Sequence, residues 1–122
     1  MYLTNSLYFD KVNAMSNDKT TVWRSDTTRQ LAAALTAIDS TTEMQNFLRD
    51  VMTEKEITEI SSRLEAARML TDGKKYTEIV AKTKLSSRTV ARISDWLQNG
   101  CNGYETALSA IHHDHLLPSR AE

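Results

Sequence analysis

A chain of 122 residues with 40% hydrophobic and 25% charged side chains has the composition of one soluble globular domain, and one this short buries only a modest core if it folds alone. Its net charge is -1, with one cysteine, three glycines and one proline. This excludes an intrachain disulfide, leaves few tight turns and favours helices over a many-stranded sheet. No apolar run approaches the ~20 residues of a membrane span, and "MYLTNSLYFDKV" lacks the basic-then-apolar order of a secretory signal. A lone thiol, Cys101, fits a reduced compartment, so a cytoplasmic protein is expected.

Residues 1–24 carry Leu3, Leu7, Phe9, Val12 and Met15 without a clean period, then the polar, turn-like "SNDKTT". They are expected to form a poorly ordered arm with at most one docked helical turn. Regular helical signals follow. "SDTTRQLAAALTAID" places Leu31, Ala34, Leu35 and Ile38 on one face, behind Ser25 or Asp26 as N-cap. "STTEMQNFLRDVM" opens with a capping box, Ser40 and Glu43, before the stripe Met44, Phe47, Leu48 and Val51. A second box, Thr53 and Glu56, opens "TEKEITEISSRLEAARMLTDG"; its stripe is Ile57, Ile60, Leu64, Ala67 and Leu70, with Gly73 as C-terminal cap. Shorter helices are expected at Tyr76–Thr83 and Ser87–Asn99, the second closed by Gly100. A last helix over "YETALSAIHH" ends before Pro118, leaving 118–122 as a tail. With no strand alternation and no repeat, the fold class is all-α, one helical domain over 25–117.

The two short helices have the parts of a helix-turn-helix over 76–98. Ile79 anchors the first helix and Leu85 packs from the turn. Val90 and Ile93 face the same core from the second helix, and Ser86 is its N-cap. That leaves Ser87, Arg88 and Thr89 in the first turn of the second helix, the end that reaches base edges. Arg88 suits a bidentate pair with guanine. Lys82, Lys84 and Arg92 are placed to meet phosphates, as are Lys74 and Lys75 just upstream.

The charge pattern agrees. Between Lys74 and Ser94 stand six cations and one acid, Glu78, a net +5, so the remaining residues together hold -6. Positive charge gathered on one motif suits a polyanion. The expected DNA-binding set is Lys74, Lys75, Lys82, Lys84, Ser86, Ser87, Arg88, Thr89 and Arg92, and the expected partner is double-stranded DNA. A protein-interaction module, or RNA binding by the same surface, are the alternatives.

The pieces "SRLEAARMLTDGK", "TVARIS" and "NGCNGYETAL", within a stretch from Thr41 to Ile111, resemble the Trp repressor superfamily and look closest to its YerC/YecD branch. The resemblance implies an intertwined, all-helical homodimer that binds a palindromic operator and represses transcription. Independently, three helices with strong apolar stripes precede the motif, more than a lone protomer of this length buries easily. Two positions depart from many such motifs. Lys84 stands where a glycine commonly takes a positive φ, and Val80 where a small residue is usual. In Trp repressor the corepressor sits between the helix before the motif and the recognition helix. Met52, Thr53, Arg63 and Arg92 match its contacts there, and Arg63 and Arg92 have the chemistry of a carboxylate clamp. Ile93, however, replaces a glycine beside the indole and Trp96 replaces a small polar residue, so tryptophan is not expected to bind.

Other constellations carry little. "HHDH" at 112–115 sits at a helix end where a solvated tail is the plainer reading than a metal site. Trp96, at helical spacing from Ile93, reads as core ahead of a stacking platform, and Met69 and Tyr104 read as packing. There is no Gly-rich phosphate loop, no paired carboxylates with a base and no nucleophile with a local His. An enzyme, a cofactor, a metal site and a membrane partner are all unexpected.

Overall fold

The computed structural model describes residues 20–113, and all their regular structure is helical. A 3-10 turn, Thr21–Arg24, leads into α1 (Asp26–Ala37), α2 (Thr41–Val51), α3 (Glu54–Thr71), α4 (Tyr76–Thr83), α5 (Ser87–Asn99) and α6 (Gly103–His113). The expected arm over 1–24 therefore lies mostly outside the described residues, as does the tail over 118–122. The structure divides after Val51 into two compact units.

In the first unit the 3-10 turn is stitched to α1. The Thr28 hydroxyl donates to the Val22 carbonyl at 2.7 Å, and Arg29 donates to the Trp23 carbonyl at 2.8 Å. Ser25 is the N-cap, its hydroxyl accepting from the Thr28 N–H at 3.1 Å. Ser40 opens α2 by accepting from the Glu43 N–H at 3.2 Å. Neither α1 nor α2 contains a buried residue. Leu31 and Val51 of the expected stripes remain 47% and 55% exposed.

The second unit is built on α3, against which α4, α5 and α6 all pack. Both ends of α3 are closed by local hydrogen bonds. At its start the expected capping box is complete: Thr53 Oγ1 accepts from the Glu56 N–H at 3.1 Å, and Glu56 accepts from the Thr53 N–H at 2.9 Å. The bond from the Thr53 backbone, followed by that from its hydroxyl, holds the Glu56 carboxyl below its ordinary value. At the other end Gly73 adopts φ 80°. Its N–H donates to the Leu70 carbonyl, and the Lys74 N–H donates to the Met69 carbonyl, each at 3.0 Å. This crossed pair is the Schellman stop that a glycine at this place permits.

The core comprises Ala66, Ala67, Met69, Ile79, Val90 and Ile93, with Leu70, Val80, Leu85, Trp96, Leu97, Tyr104 and Leu108 packed around it. Ile79, Val90 and Ile93 are fully buried, and burial of each stabilises the fold by about 1.5–3 kcal/mol. The expected α3 stripe is corrected at one end. Ile60 is 56% exposed, while the buried face of α3 is Ala66, Ala67 and Met69. Small residues at 66 and 67 let the two helices of the motif approach the α3 backbone, whereas Ile60 upstream stays exposed.

Candidate nucleic-acid interface

The helix-turn-helix forms with the expected limits, Tyr76–Thr83 and Ser87–Asn99. Its turn is held from both sides. Thr83, 8% exposed, donates from its hydroxyl to the Ile79 carbonyl at 2.7 Å and accepts from the Leu85 N–H at 3.3 Å. One buried hydroxyl thus ends α4 and steers the backbone out of it, and Leu85 packs back on the core. Lys84 lies between them in the left-handed region, φ 64° and ψ 11°, with its N–H donating to the Val80 carbonyl at 2.9 Å. The geometry that commonly selects glycine is present, and a lysine adopts it at a steric cost of about 1–2 kcal/mol.

Ser86 caps α5. Its hydroxyl accepts from the Thr89 N–H at 3.1 Å and pairs with the Thr89 hydroxyl at 3.0 Å. Both hydroxyls are thereby engaged in starting the helix, and Thr89 is half-buried. Ser87 and Arg88 project between them, exposed. The first-turn N–H groups of a helix, with the positive end of its dipole, add a site that favours an anion.

Arg88 and Arg92 are four apart on α5, on one helix face, and both are exposed. Neither has an ion-pair partner among the described residues. Lys74 and Lys75 are exposed in the link from α3 to α4, where the Lys75 carbonyl accepts the Ile79 N–H at 3.0 Å. Lys82 sits in the last turn of α4 with its Nζ 3.9 Å from Glu65 Oε2. Glu65 belongs to a cluster that sequence reading missed. Arg68 donates to it at 2.9 and 2.6 Å and to Asp72 at 2.9 Å. The hydrogen bonds to Glu65 hold the Arg68 guanidinium more firmly protonated than usual. Its signal was present, acids at i-3 and i+4 from an arginine on a helix. The Lys82 side chain is 64% exposed and its pair is long. Pairs of that kind are worth at most about 1 kcal/mol, so Glu65 holds the Lys82 ammonium only weakly.

Of the residues matched to a corepressor pocket, Thr53 is engaged elsewhere. The Thr53 hydroxyl closes the α3 cap. Met52 is half-buried and Arg92 exposed. Arg63 is half-buried, and its buried Nε has no hydrogen-bond partner among the described residues. Burial pushes the Tyr104 phenol above its ordinary value, against an opposing pull from the Arg63 charge. Ile93 is fully buried and Trp96 packs against the core, in line with their helical spacing. His112 is exposed, and no group of metal-ligating side chains occurs among the described residues; His115 lies outside them. No helix among the described residues is long and apolar enough to cross a membrane.

Comparison with known proteins agrees with this geometry. The family model described as Trp repressor protein matches residues 26–112. The chain is 34% identical over 82 residues to YerC of Bacillus subtilis (strain 168), itself uncharacterised, with 67% of this chain and 79% of YerC covered. Its fold matches a TrpR-like protein from Eubacterium eligens ATCC 27750 at a TM-score of 0.67 and 29% identity, over 79% of this chain and 96% of that one. It also matches a candidate Trp repressor from Staphylococcus aureus at a TM-score of 0.71 and 26% identity, over 77% and 94% of the two proteins. With its helix-turn-helix, its glycine-closed α3 and its linker before α6, this chain belongs to the Trp repressor family, in the branch that includes YerC.

Proposed function

We propose that this protein is a sequence-specific DNA-binding transcriptional regulator, a repressor that acts as a homodimer on a palindromic operator. The observation that carries the reading is the first turn of α5. It is capped and anchored from beneath by Val90 and Ile93, while Arg88 and Arg92 stand exposed without ion-pair partners among the described residues. Arg88 reads a base. Arg92, Lys74, Lys75, Lys82 and Lys84 neutralise phosphates, and Ser86, Ser87 and Thr89 shape and line the same turn. The test is selection of bound fragments from the parent genome, followed by titration of the best duplex at several salt concentrations. The logarithm of affinity is expected to fall linearly with log salt, by about 0.9 for each phosphate neutralised. A flat response would point to a protein partner, and preference for single strands or loops would point to RNA.

The dimer reading is supported by apolar side chains left at the surface of the single protomer. Leu31 and Val51 in the first unit and Ile60 in the second are each about half exposed, and so are Val22 and Trp23 in the first. A second copy offers these faces a partner without any new sequence. The thermal midpoint is therefore expected to rise with protein concentration, since folding and association are then one equilibrium. A monomer mass by light scattering together with a concentration-independent midpoint overturns the dimer.

Tryptophan is not the effector under this reading. Ile93 and Trp96 fill the space an indole needs, and Thr53 is engaged in its cap. Titration calorimetry with free tryptophan is expected to give no saturable heat. Binding at micromolar concentration would reinstate Met52, Thr53, Arg63 and Arg92 as a corepressor pocket.

A further inference from the structure

Of the six asparagines in the sequence, two precede a glycine, Asn99 and Asn102, and they lie three residues apart at the junction of α5 and α6. An Asn-Gly step is prone to self-reaction, because a glycine offers no Cβ to hinder the approach of its own backbone nitrogen to the preceding side chain. The structure treats the two steps differently. At the first, both reacting groups are tied. Asn99 Nδ2 donates to Asp95 Oδ1 at 2.8 Å, and the Gly100 N–H donates to the Trp96 carbonyl at 2.9 Å. The backbone there is also crowded, since a Cβ built on Gly100 would stand 2.4 Å from the Trp96 oxygen.

At the second step both groups are loose. Asn102 and Gly103 are exposed. The Asn102 side-chain amide has no hydrogen-bond partner among the described residues. Gly103 is the first residue of α6, so its N–H has no acceptor within the helix. A Cβ built on Gly103 would meet nothing within 4 Å, leaving room for a ring. Asn102 itself sits at φ 66°, held among the described residues only through its carbonyl, which accepts from the Thr106 N–H and hydroxyl at 3.0 Å each.

We infer that Asn102 is a site of spontaneous deamidation in the folded protein, and that the fold protects its neighbour Asn99. The Gly103 backbone nitrogen loses its proton to solvent base and attacks Asn102 Cγ. The new bond between that nitrogen and Cγ closes a succinimide, and the bond from Cγ to Nδ2 breaks with departure of ammonia. Water then opens the ring at either carbonyl, giving aspartate or isoaspartate with no change of oxidation state. The modified linker gains a carboxylate, and in the isoaspartyl product the backbone between α5 and α6 gains a methylene.

The test holds the full-length protein at mildly alkaline pH, folded or in denaturant. Conversion at each asparagine is followed by tandem mass spectrometry of the tryptic peptide 93–120, which carries both sites. In the folded protein Asn102 is expected to convert several-fold faster than Asn99, and in denaturant the two rates should converge, because both are then plain Asn-Gly steps. Asn102→Gln should abolish the early acidic shift of the folded protein on isoelectric focusing. Equal native rates, a faster Asn99, a difference that persists in denaturant, or an early shift that survives Asn102→Gln would each overturn the inference.

Discussion

Arg88→Ala is expected to lower affinity for the best duplex site by about 1–3 kcal/mol and to relax base preference at one position of each half-site, while Lys82→Ala is expected to weaken all sequences about equally and to reduce the salt slope by about one unit. The two cations differ because of where the structure puts them. Arg88 projects from the capped first turn of α5, the part of the motif that enters the major groove, and its planar fork matches the paired acceptors of guanine. Lys82 lies on the helix before, beside Glu65. From there it offers a point charge to a phosphate, which positions the protein without reading sequence. Binding to a library of half-site variants at several salt concentrations separates the two roles. If both variants weaken every sequence alike, Arg88 is a phosphate contact. If neither alters DNA binding, the basic surface serves another partner. In a dimer the half-sites are expected about 34–36 Å apart, one turn of the duplex.

Lys84→Gly is expected to raise stability and lower DNA affinity together. Glycine at φ 64° relieves the ~1–2 kcal/mol that a Cβ costs in the left-handed region. Against this, it gives the unfolded state freedom worth about 0.4–1 kcal/mol. The relief is the larger quantity, and the net gain is about 0.5–1 kcal/mol, a few degrees of thermal midpoint for a protein of this size. The lost cation removes about one phosphate from the salt slope. Lys84→Ala separates the effects, because alanine keeps the strain and discards the charge. It should bind DNA as weakly as the glycine variant while melting no higher than the parent. A glycine variant that melts lower than the parent would show that the strain argument has the wrong sign. On this account the residue is strained where it is useful.

Much of the motif was legible because its signals are local. A serine three residues ahead of a backbone N–H in need of an acceptor marked the start of α5, and a glycine just before a lysine pair marked the stop of α3. The +5 charge over 74–94 marked the face. What the sequence obscured depends on neighbours distant along the chain. Periodicity assigned Ile57 and Ile60 to the core with the rest of their stripe. The residues that α3 buries instead lie in its C-terminal half, where two alanines are buried and Ile60 upstream is not. Thr83 looked like an ordinary helix end, since nothing local reveals that its hydroxyl serves two backbone groups at once. The left-handed Lys84 follows from its place in the turn, whereas the residue type argues against it.

Because α4, α5 and α6 all lean on α3, the order in which the protein is made matters. Synthesis runs from the N-terminus, so α3 leaves the ribosome before its three partners. It does so with its own closures at hand, the Thr53–Glu56 pair at one end and Gly73 at the other. Each later helix then docks on an element only a short connection away, and short loops are cheap to close. Such topologies fold quickly. The helix-turn-helix can thus condense on its scaffold as it emerges, and in the proposed dimer the meeting of two protomers is left as the step whose rate depends on how much protein the cell has made.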